Sequence, residues 1–347
     1  MSKTRGTRWD PLTIGIDIGG TKVMAGVVDG AGSLLAKRLR PTPGADVMAV
    51  EHTIVEVVDE LREDFDVAAV GIGAAGFVDV SRSRVMFSPH LAWRDEPLRD
   101  AVMGRLGLPV VVDNDANTAG LAETRFGAAR GHRLVLCLTM GTGIGGALVL
   151  DGRVLRGANG MAGEFGHIQV VPDGHRCECG NRGCWEQYAS GNALVRDARE
   201  LVAANSPVAH HLSRLVGGDP ALLTGPLVTQ AAGEGDPLAI ELFDSVGRWL
   251  GVGLAGMAAS FDPSCIVVGG GVSDAGEILL APAREAFSRT LVGRGHRQEP
   301  TLVRAALGPQ AGLIGAADMA RSAARRSRRT RRRRSRTDRP LLFRPRS

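Results

Sequence analysis

A gapless internal repeat constrains this chain more than any other feature. Displaced by 122 residues, LTIGIDIGGTKVMAGVVDG (12–30) lies on LVLCLTMGTGIGGALVLDG (134–152). Gly19 falls on Gly141, Val27 on Val149, and Asp29-Gly30 on Asp151-Gly152. Each copy reads as an apolar strand, a Gly/Thr turn, a second apolar strand and an Asp-Gly turn. Such a chain folds as two related halves facing one another across a cleft.

Composition agrees. The 347 residues leave room for two domains with ample cores. Aromatic residues make up 4% and there are 47 glycines, so Ala, Val, Leu and Gly must pack the interior. That suits α/β layers better than an aromatic-rich β-sandwich. No apolar run reaches the ~18–20 residues of a membrane helix. MSKTRGTRWDPL carries no apolar signal stretch, so a cytoplasmic protein is expected. The formal charge of +5 misleads, because the chain from Arg321 onward holds 13 Arg and one Asp. Residues 1–320 carry −7 and offer no basic face for nucleic acid. The tail, SAARRSRRTRRRRSRTDRP, lacks apolar periodicity and repels itself, so residues 323–347 are expected to be disordered.

Residues 12–18 and Val23–Asp29 read as strands around GGTK, 46–62 as a helix, and Val67–Gly73 as a strand ending in GAAGFVD. PVVVDND (109–115) is a strand running into the helix ANTAGLAETRFG. LVLCLTM and ALVLDG flank GTGIGG, and residues 190–260 are mostly helical. CIVVGGG (265–271) is a strand ending in glycines, and AGLIGAADMARSA closes as a helix.

GTGIGG fits the dinucleotide fingerprint G-x-G-x-x-G at Gly141, Gly143 and Gly146, but that fingerprint needs a helix after the glycines. A strand follows here, and no Walker pattern exists elsewhere. A phosphate-clasping hairpin remains. Glycine lets successive N–H groups approach phosphate oxygens. Thr21 and Thr142 supply hydroxyls, and Asp17 stands where a magnesium-bound water can be held.

Asp113, Asn114 and Asp115 end a strand and open a helix, which makes them either an N-cap or a polar group at the lip of a cleft. Glu164 and His167 share a face only if GEFGH is helical. An odd count of five cysteines argues against a disulfide framework. Cys177, Cys179 and Cys184 give C-x-C-x4-C. With His167 or His175 as fourth donor they form a closed, structural zinc site; otherwise they are three buried thiols.

DIGGTK (17–22), DNDAN (113–117), GTGIGG (141–146), GEFGH (163–167) and CECGNRGCWE (177–186) stand in the order found in ROK-family sugar kinases. The chain resembles that family, and its actinobacterial glucokinase branch in particular, over roughly residues 12–321. The resemblance implies a two-lobed, actin-like (ribonuclease H-like) ATPase fold with duplicated β/α units. A small lobe would comprise 11–118 with 309–322. A large lobe, 119–308, would hold the zinc loop and dimer helices. The implied reaction is phosphorylation of glucose at its 6-hydroxyl by Mg-ATP. In it Asp115 is the general base, and Gly76, Asn114, Glu164, His167 and Glu186 contact the sugar. Asp17, Gly19, Gly20, Thr21, Lys22, Gly141, Thr142, Gly143, Gly269, Gly270 and Gly271 serve the nucleotide. The resemblance gives Asp113 a structural role, favours His167 over His175 as the fourth zinc donor, and implies a homo-oligomer, dimer or tetramer. Other hexoses or N-acetylhexosamines are alternative substrates within the family. Its sugar-responsive transcription regulators carry an N-terminal helix-turn-helix, whereas only 16 residues precede Asp17 here. A non-enzymatic actin-like ATPase would have no use for DNDAN or the cysteine loop.

Overall fold

The computed structural model describes residues 9–337, with side chains described through Arg326 and at Arg328. The chain divides into two compact units. One runs up to Thr118 and resumes at Gly312; the other is Ala119–Ala311. The sequence reading had put these divisions at 118/119 and 308/309.

The first unit begins with β1 (Leu12–Ile18), β2 (Lys22–Val28), β3 (Leu34–Pro41), α1 (Val47–Asp64) and β4 (Val67–Ala74). A small antiparallel sheet follows, β5 (Phe77–Val78), β6 (Val85–Phe87) and β7 (Arg94–Glu96). It leads to α2 (Leu98–Leu106), β8 (Val110–Asn114) and α3 (Asp115–Arg125). The main sheet has the order β3-β2-β1-β4-β8, with β1 antiparallel to β2 and parallel to β4.

The second unit repeats this plan. It contains β9 (Leu134–Met140), β10 (Ile144–Leu150), β11 (Arg153–Val154), α4 (Glu186–Ala189), α5 (Gly191–Ala203), α6 (His210–Leu215) and α7 (Gly225–Gly233). Then come α8 (Pro237–Phe261), β12 (Cys265–Gly269), α9 (Glu277–Thr290) and β13 (Thr301–Arg304). Its sheet order is β11-β10-β9-β12-β13. β9 is antiparallel to β10 and parallel to β12, strand for strand the arrangement of β1. The repeat read from the sequence is therefore a repeat of topology.

The last element, α10 (Ala311–Thr337), lies from Gly312 onward on the first unit's sheet. Side chains are too bulky for this contact: a Cβ on Gly15 would overlap the Leu313 carbonyl, and one on Gly71 the Ala316 carbonyl. Helix and strand backbones thus meet directly, which the Ala/Gly-rich start of α10 allows. On the opposite face, Val50, Ile54 and Val57 of α1 and Val102 of α2 pack with Ile14, Ile16 and Ile72. β1 is accordingly buried on both faces and reads as a nearly continuous apolar run. In the second unit, Gly247 and Gly251 of α8 let the α9 backbone approach in the same way; a Cβ on Gly247 would lie 2.6 Å from the Leu279 carbonyl.

The expectation of disorder from residue 323 needs correction. α10 continues as helix to Thr337, and residues 338–347 lie outside the described ones. The reason is cooperativity. Leu313, Ala317, Ala320, Arg321 and Ala324 are buried, so the helix is nucleated by packing before the arginine run begins. Arg has high helix propensity, and propagation needs no second nucleus.

Arg321, 1% exposed, locks α10 in register. Its guanidinium donates to the carbonyls of Pro11 (3.1 Å) and Val28 (2.7 Å) and to Thr13 Oγ1 (3.0 Å), with Asp318 at 3.4 Å. Arg321→Ala leaves these acceptors buried without a donor and should destabilise the protein by about 3–5 kcal/mol. The urea unfolding midpoint reads this; a loss below about 1 kcal/mol would contradict the role.

Candidate functional site

In the first unit, polar groups gather at the C-terminal ends of β1 and β8. Strand β8 ends at Asn114 and α3 begins at Asp115, so three successive polar residues straddle a strand-to-helix junction. Asp113 is buried and accepts from the Asn114 N–H (3.0 Å) and from Asn117 Nδ2 (3.1 Å), which makes it structural. Asn114 Oδ1 caps α3 through the Asn117 N–H (3.1 Å), while its Nδ2 donates to the Gly76 carbonyl (3.1 Å). Gly76 has φ +150°, and a Cβ there would meet the Phe87 carbonyl at 2.5 Å. The cap reading of this segment is thus realised at Asn114.

Asp115 accepts from the Ala116 N–H (2.9 Å). Burial pushes its carboxyl above the ordinary carboxylate range, against the opposing pull of backbone N–H groups, Asn114 and His90. Asp17 is pushed up to about 7, first by burial and then by the Asp115 carboxylate, with Lys22 opposing. A Cβ on Gly312, in the first turn of α10, would lie 2.9 Å from the Asp17 carboxyl. The GGTK turn closes by Gly19 N–H to the Lys22 carbonyl (3.0 Å), and Thr21 O accepts the Thr42 N–H (3.0 Å). A Cβ on Gly20 would meet His90 Cβ at 2.9 Å. His90 and Gly312 were not singled out in the sequence. Neither sits in a motif, and both reach this place only through the fold.

In the second unit, the turn between β9 and β10 closes by Gly141 N–H to the Gly143 carbonyl (3.0 Å). The start of α5 is fastened to it: Gly191 N–H donates to Gly141 O (2.8 Å) and Asn192 N–H to Thr142 O (3.2 Å). Beside it opens a cavity of about 550 Å³, whose lining includes Gly141, Thr142, Asn192, Gln230, Gly271 and Asp274. Of the six glycine-turn residues expected in this unit, Gly141, Thr142 and Gly271 line it, whereas Gly143, Gly269 and Gly270 do not. Gly270 instead packs on the Met140 backbone, and Gly269 is buried under Ala305. Asn192 and Gln230 lie on helices that carried no chemical signature.

GEFGH forms one 3-10 turn, Phe165–His167, with Glu164 at its N-cap. At three residues per turn, Glu164 and His167 fall on one face. The donor atoms of His167, Cys177, Cys179 and Cys184 all lie within 4.8 Å of one another. Cys177 Sγ is 3.6 Å from His167 Nδ1, and the Cys179 and Cys184 sulfurs are 3.6 Å apart. A tetrahedral zinc with bonds of about 2.0–2.3 Å has ligand edges of roughly 3.5–3.8 Å, so this donor set fits that metal. His175 is not in this donor set; its backbone N–H donates to Tyr188 Oη (2.9 Å) and its ring packs on Tyr188. Glu186 borders the set, with Oε1 3.2 Å from Cys177 Sγ and 3.4 Å from His167 Nδ1. Between Cys184 and Glu186, Trp185 is fully buried, donates to the Trp249 carbonyl (2.8 Å) and fills the notch left by Gly253.

Two hairpin-led five-stranded sheets of one topology, with carboxylates and glycine turns at their strand ends, define the actin-like ATPase fold. The signature of the ROK family matches residues 13–323, and the chain belongs to that family. The glucokinase of Streptomyces coelicolor is 48% identical over 310 residues, 89% of this chain and 98% of that protein. A ROK family glucokinase from Streptomyces griseus, solved in complex with glucose and AMPPNP, superposes with a TM-score of 0.82 at 50% identity. That likeness covers 90% of this chain and 99% of that one. The ROK hexokinase from Thermus thermophilus superposes with a TM-score of 0.74 at 36% identity, over 91% and 99% of the two chains.

The raised Asp17 carboxyl makes stability depend on pH with a definite sign. The folded protein holds the Asp17 proton more tightly than the unfolded chain does. Stability contributed by that proton is therefore complete below the ordinary aspartate range and lost as pH rises through about 7. Asp17→Asn, which cannot ionise, should open a stability gap over the parent between about pH 4 and pH 7, constant above. Thermal unfolding across that range measures it; a gap independent of pH would contradict the assignment.

Proposed function

We propose that this chain transfers the γ-phosphoryl group of Mg-ATP to the 6-hydroxyl of glucose, giving glucose 6-phosphate and ADP. The observation that carries the reading is the likeness, over nearly the full length of both chains, to a glucokinase solved with glucose and AMPPNP. The residues such chemistry requires are present here. Asp115 takes the proton of the 6-hydroxyl as that oxygen attacks phosphorus; its buried, raised carboxyl is a stronger proton acceptor than an exposed one. Asn114, held by the Gly76 carbonyl and bonded to the Asp115 carboxyl, stands beside the base to meet a neighbouring hydroxyl.

On the nucleotide side, Asp17, beside Lys22, would serve the magnesium ion that accompanies ATP. Gly19, Gly20, Thr21, Gly141 and Thr142 turn N–H and hydroxyl groups toward phosphate. The cavity beside Gly271, of the size small ligands occupy, takes the nucleoside. Glu164, His167 and Glu186 bond sugar hydroxyls, and a wrong epimer would leave one of them unpaired. Zinc, where bound, neutralises the thiolates and fixes the His167 ring; it takes no part in the transfer. In assembly the chain is a homo-oligomer, as the family resemblance implies, which sedimentation velocity reads directly. No helix among the described residues is long and apolar enough to cross a membrane, in keeping with the cytoplasmic placement we adopt.

The deciding experiment is a Mg-ATP phosphorylation assay over glucose, mannose, fructose, glucosamine and N-acetylmannosamine. Glucose should give the highest kcat/KM; a higher value for another sugar reassigns the substrate, and no turnover of any overturns the reading. Asp115→Asn keeps the shape and removes the base, so kcat should fall by about 10²–10⁴-fold with glucose binding retained. A variant keeping more than about a tenth of parental kcat would remove Asp115 from that role. Cys179→Ser, or chelation, should remove the metal and weaken glucose binding by about tenfold or more while AMPPNP affinity changes far less. Equal loss of both affinities would indicate unfolding of the unit rather than loss of one wall of the sugar pocket.

A further inference from the structure

The carboxylate of Glu186 divides its two oxygens between two structures. Oε1 faces Cys177 and His167. Oε2 faces the turn between β9 and β10: the Ile144 N–H donates to it at 3.4 Å, and a Cβ on Gly143 would overlap it. Gly143 does not line the cavity beside this turn, whereas its neighbours Gly141 and Thr142 do. A Cβ on Gly141 would have nothing within 4 Å. Neither glycine has a positive φ, so conformational freedom does not require glycine at either place. Space does, and only at Gly143.

We infer that Gly143 is a positioning residue for the sugar-binding carboxylate: its missing side chain seats Glu186 Oε2 against the Ile144 N–H, coupling the phosphate turn to the sugar wall. This rests on the reading of Glu186 as a glucose contact. The coupling is reinforced from the other end of the same short segment, where Gly191 and Asn192 bond the carbonyls of Gly141 and Thr142. Glu186 and Asn192 thus grip the turn from both sides. A methyl group at 143 would meet only the end of a flexible side chain. The relief is a swing of Glu186 rather than a shift of β10, so the variant folds while the carboxylate is displaced.

The test measures glucose and AMPPNP binding separately by calorimetry for the parent, Gly143→Ala, Gly104→Ala, Glu186→Gln and the pair Gly143→Ala with Glu186→Asp. Gly143→Ala should raise the glucose Kd by about tenfold, the scale of one lost charged hydrogen bond, with AMPPNP Kd within about threefold and metal content unchanged. Shortening the acid in the double variant makes room for the methyl, so the two losses should combine less than additively. Gly104→Ala on α2, outside either binding site, should leave both Kd values within about twofold, since its methyl touches nothing. If Gly143→Ala weakens AMPPNP more than glucose, or combines additively with Glu186→Asp, the inference is overturned and Gly143 serves the phosphates. If Glu186→Gln leaves glucose binding intact, the reading of Glu186 itself fails and takes this inference with it. Loss from Glu186→Gln without loss from Gly143→Ala overturns the inference alone.

Discussion

In the first unit the backbone of α10 lies directly against those of β1 and β4, and the chemistry of that unit depends on this contact. Gly15 and Gly71 remove the side chains that would hold the helix off, and Arg321 fixes its register. The same contact carries the helix start to the end of β1, where Gly312 lies on the Asp17 carboxyl. Two effects then oppose each other at Asp17. A helix N-terminus favours a negative charge by roughly 0.3–1 kcal/mol. Burial together with the Asp115 carboxylate disfavours it, and the rise from 3.8 to about 7 corresponds to roughly 4 kcal/mol. Burial wins. A carboxylate held at such a cost is relieved by a proton or by a bound cation.

The second unit uses the same device for a different end. Close approach of α9 to α8 at Gly247 and Gly251 makes a stiff helical layer, and Gly253 on that layer opens a notch for Trp185. Anchoring Trp185 fixes its two neighbours in the chain, Cys184 of the His/Cys donor set on one side and the carboxylate proposed to bind sugar on the other. Cys184-Trp185-Glu186 is one rigid tripeptide, and metal site and sugar wall cannot move independently of it.

What was legible in the sequence follows from periodicity. Both hairpins and the parallel strands after them were readable because their buried residues run continuously between glycine turns. Strands β5, β6 and β7 were not, since two or three residues establish no period. Strand β3 escaped because it is an edge whose residues alternate between half-buried and exposed. The cysteine motif was legible by residue type, and only the fold groups His167 rather than His175 with its three sulfurs. Gly143 shows the limit: inside GTGIGG it reads as a phosphate glycine, and only distance reveals that its neighbour is Glu186. Over residues 323–337 charge density argues for disorder while the docked start of α10 argues for propagation, and the helix runs to Thr337.

The metal site answers a packing deficiency. Between Leu155 and Cys184 the chain forms a single 3-10 turn and two isolated bridges. Apart from glycines, its only buried residues are Phe165, Cys177 and Cys184. A thirty-residue excursion with so little core cannot hold its conformation by burial alone. Two of those three buried side chains are metal donors, so the segment's interior is the metal site. Closing a long loop at one point confers order out of proportion to the atoms involved, because closure entropy grows only slowly with length. A zinc ion placed there substitutes for a hydrophobic core that this stretch of sequence does not contain. It does so beside Glu186, the carboxylate proposed to bind sugar, so the order it lends reaches that side chain first.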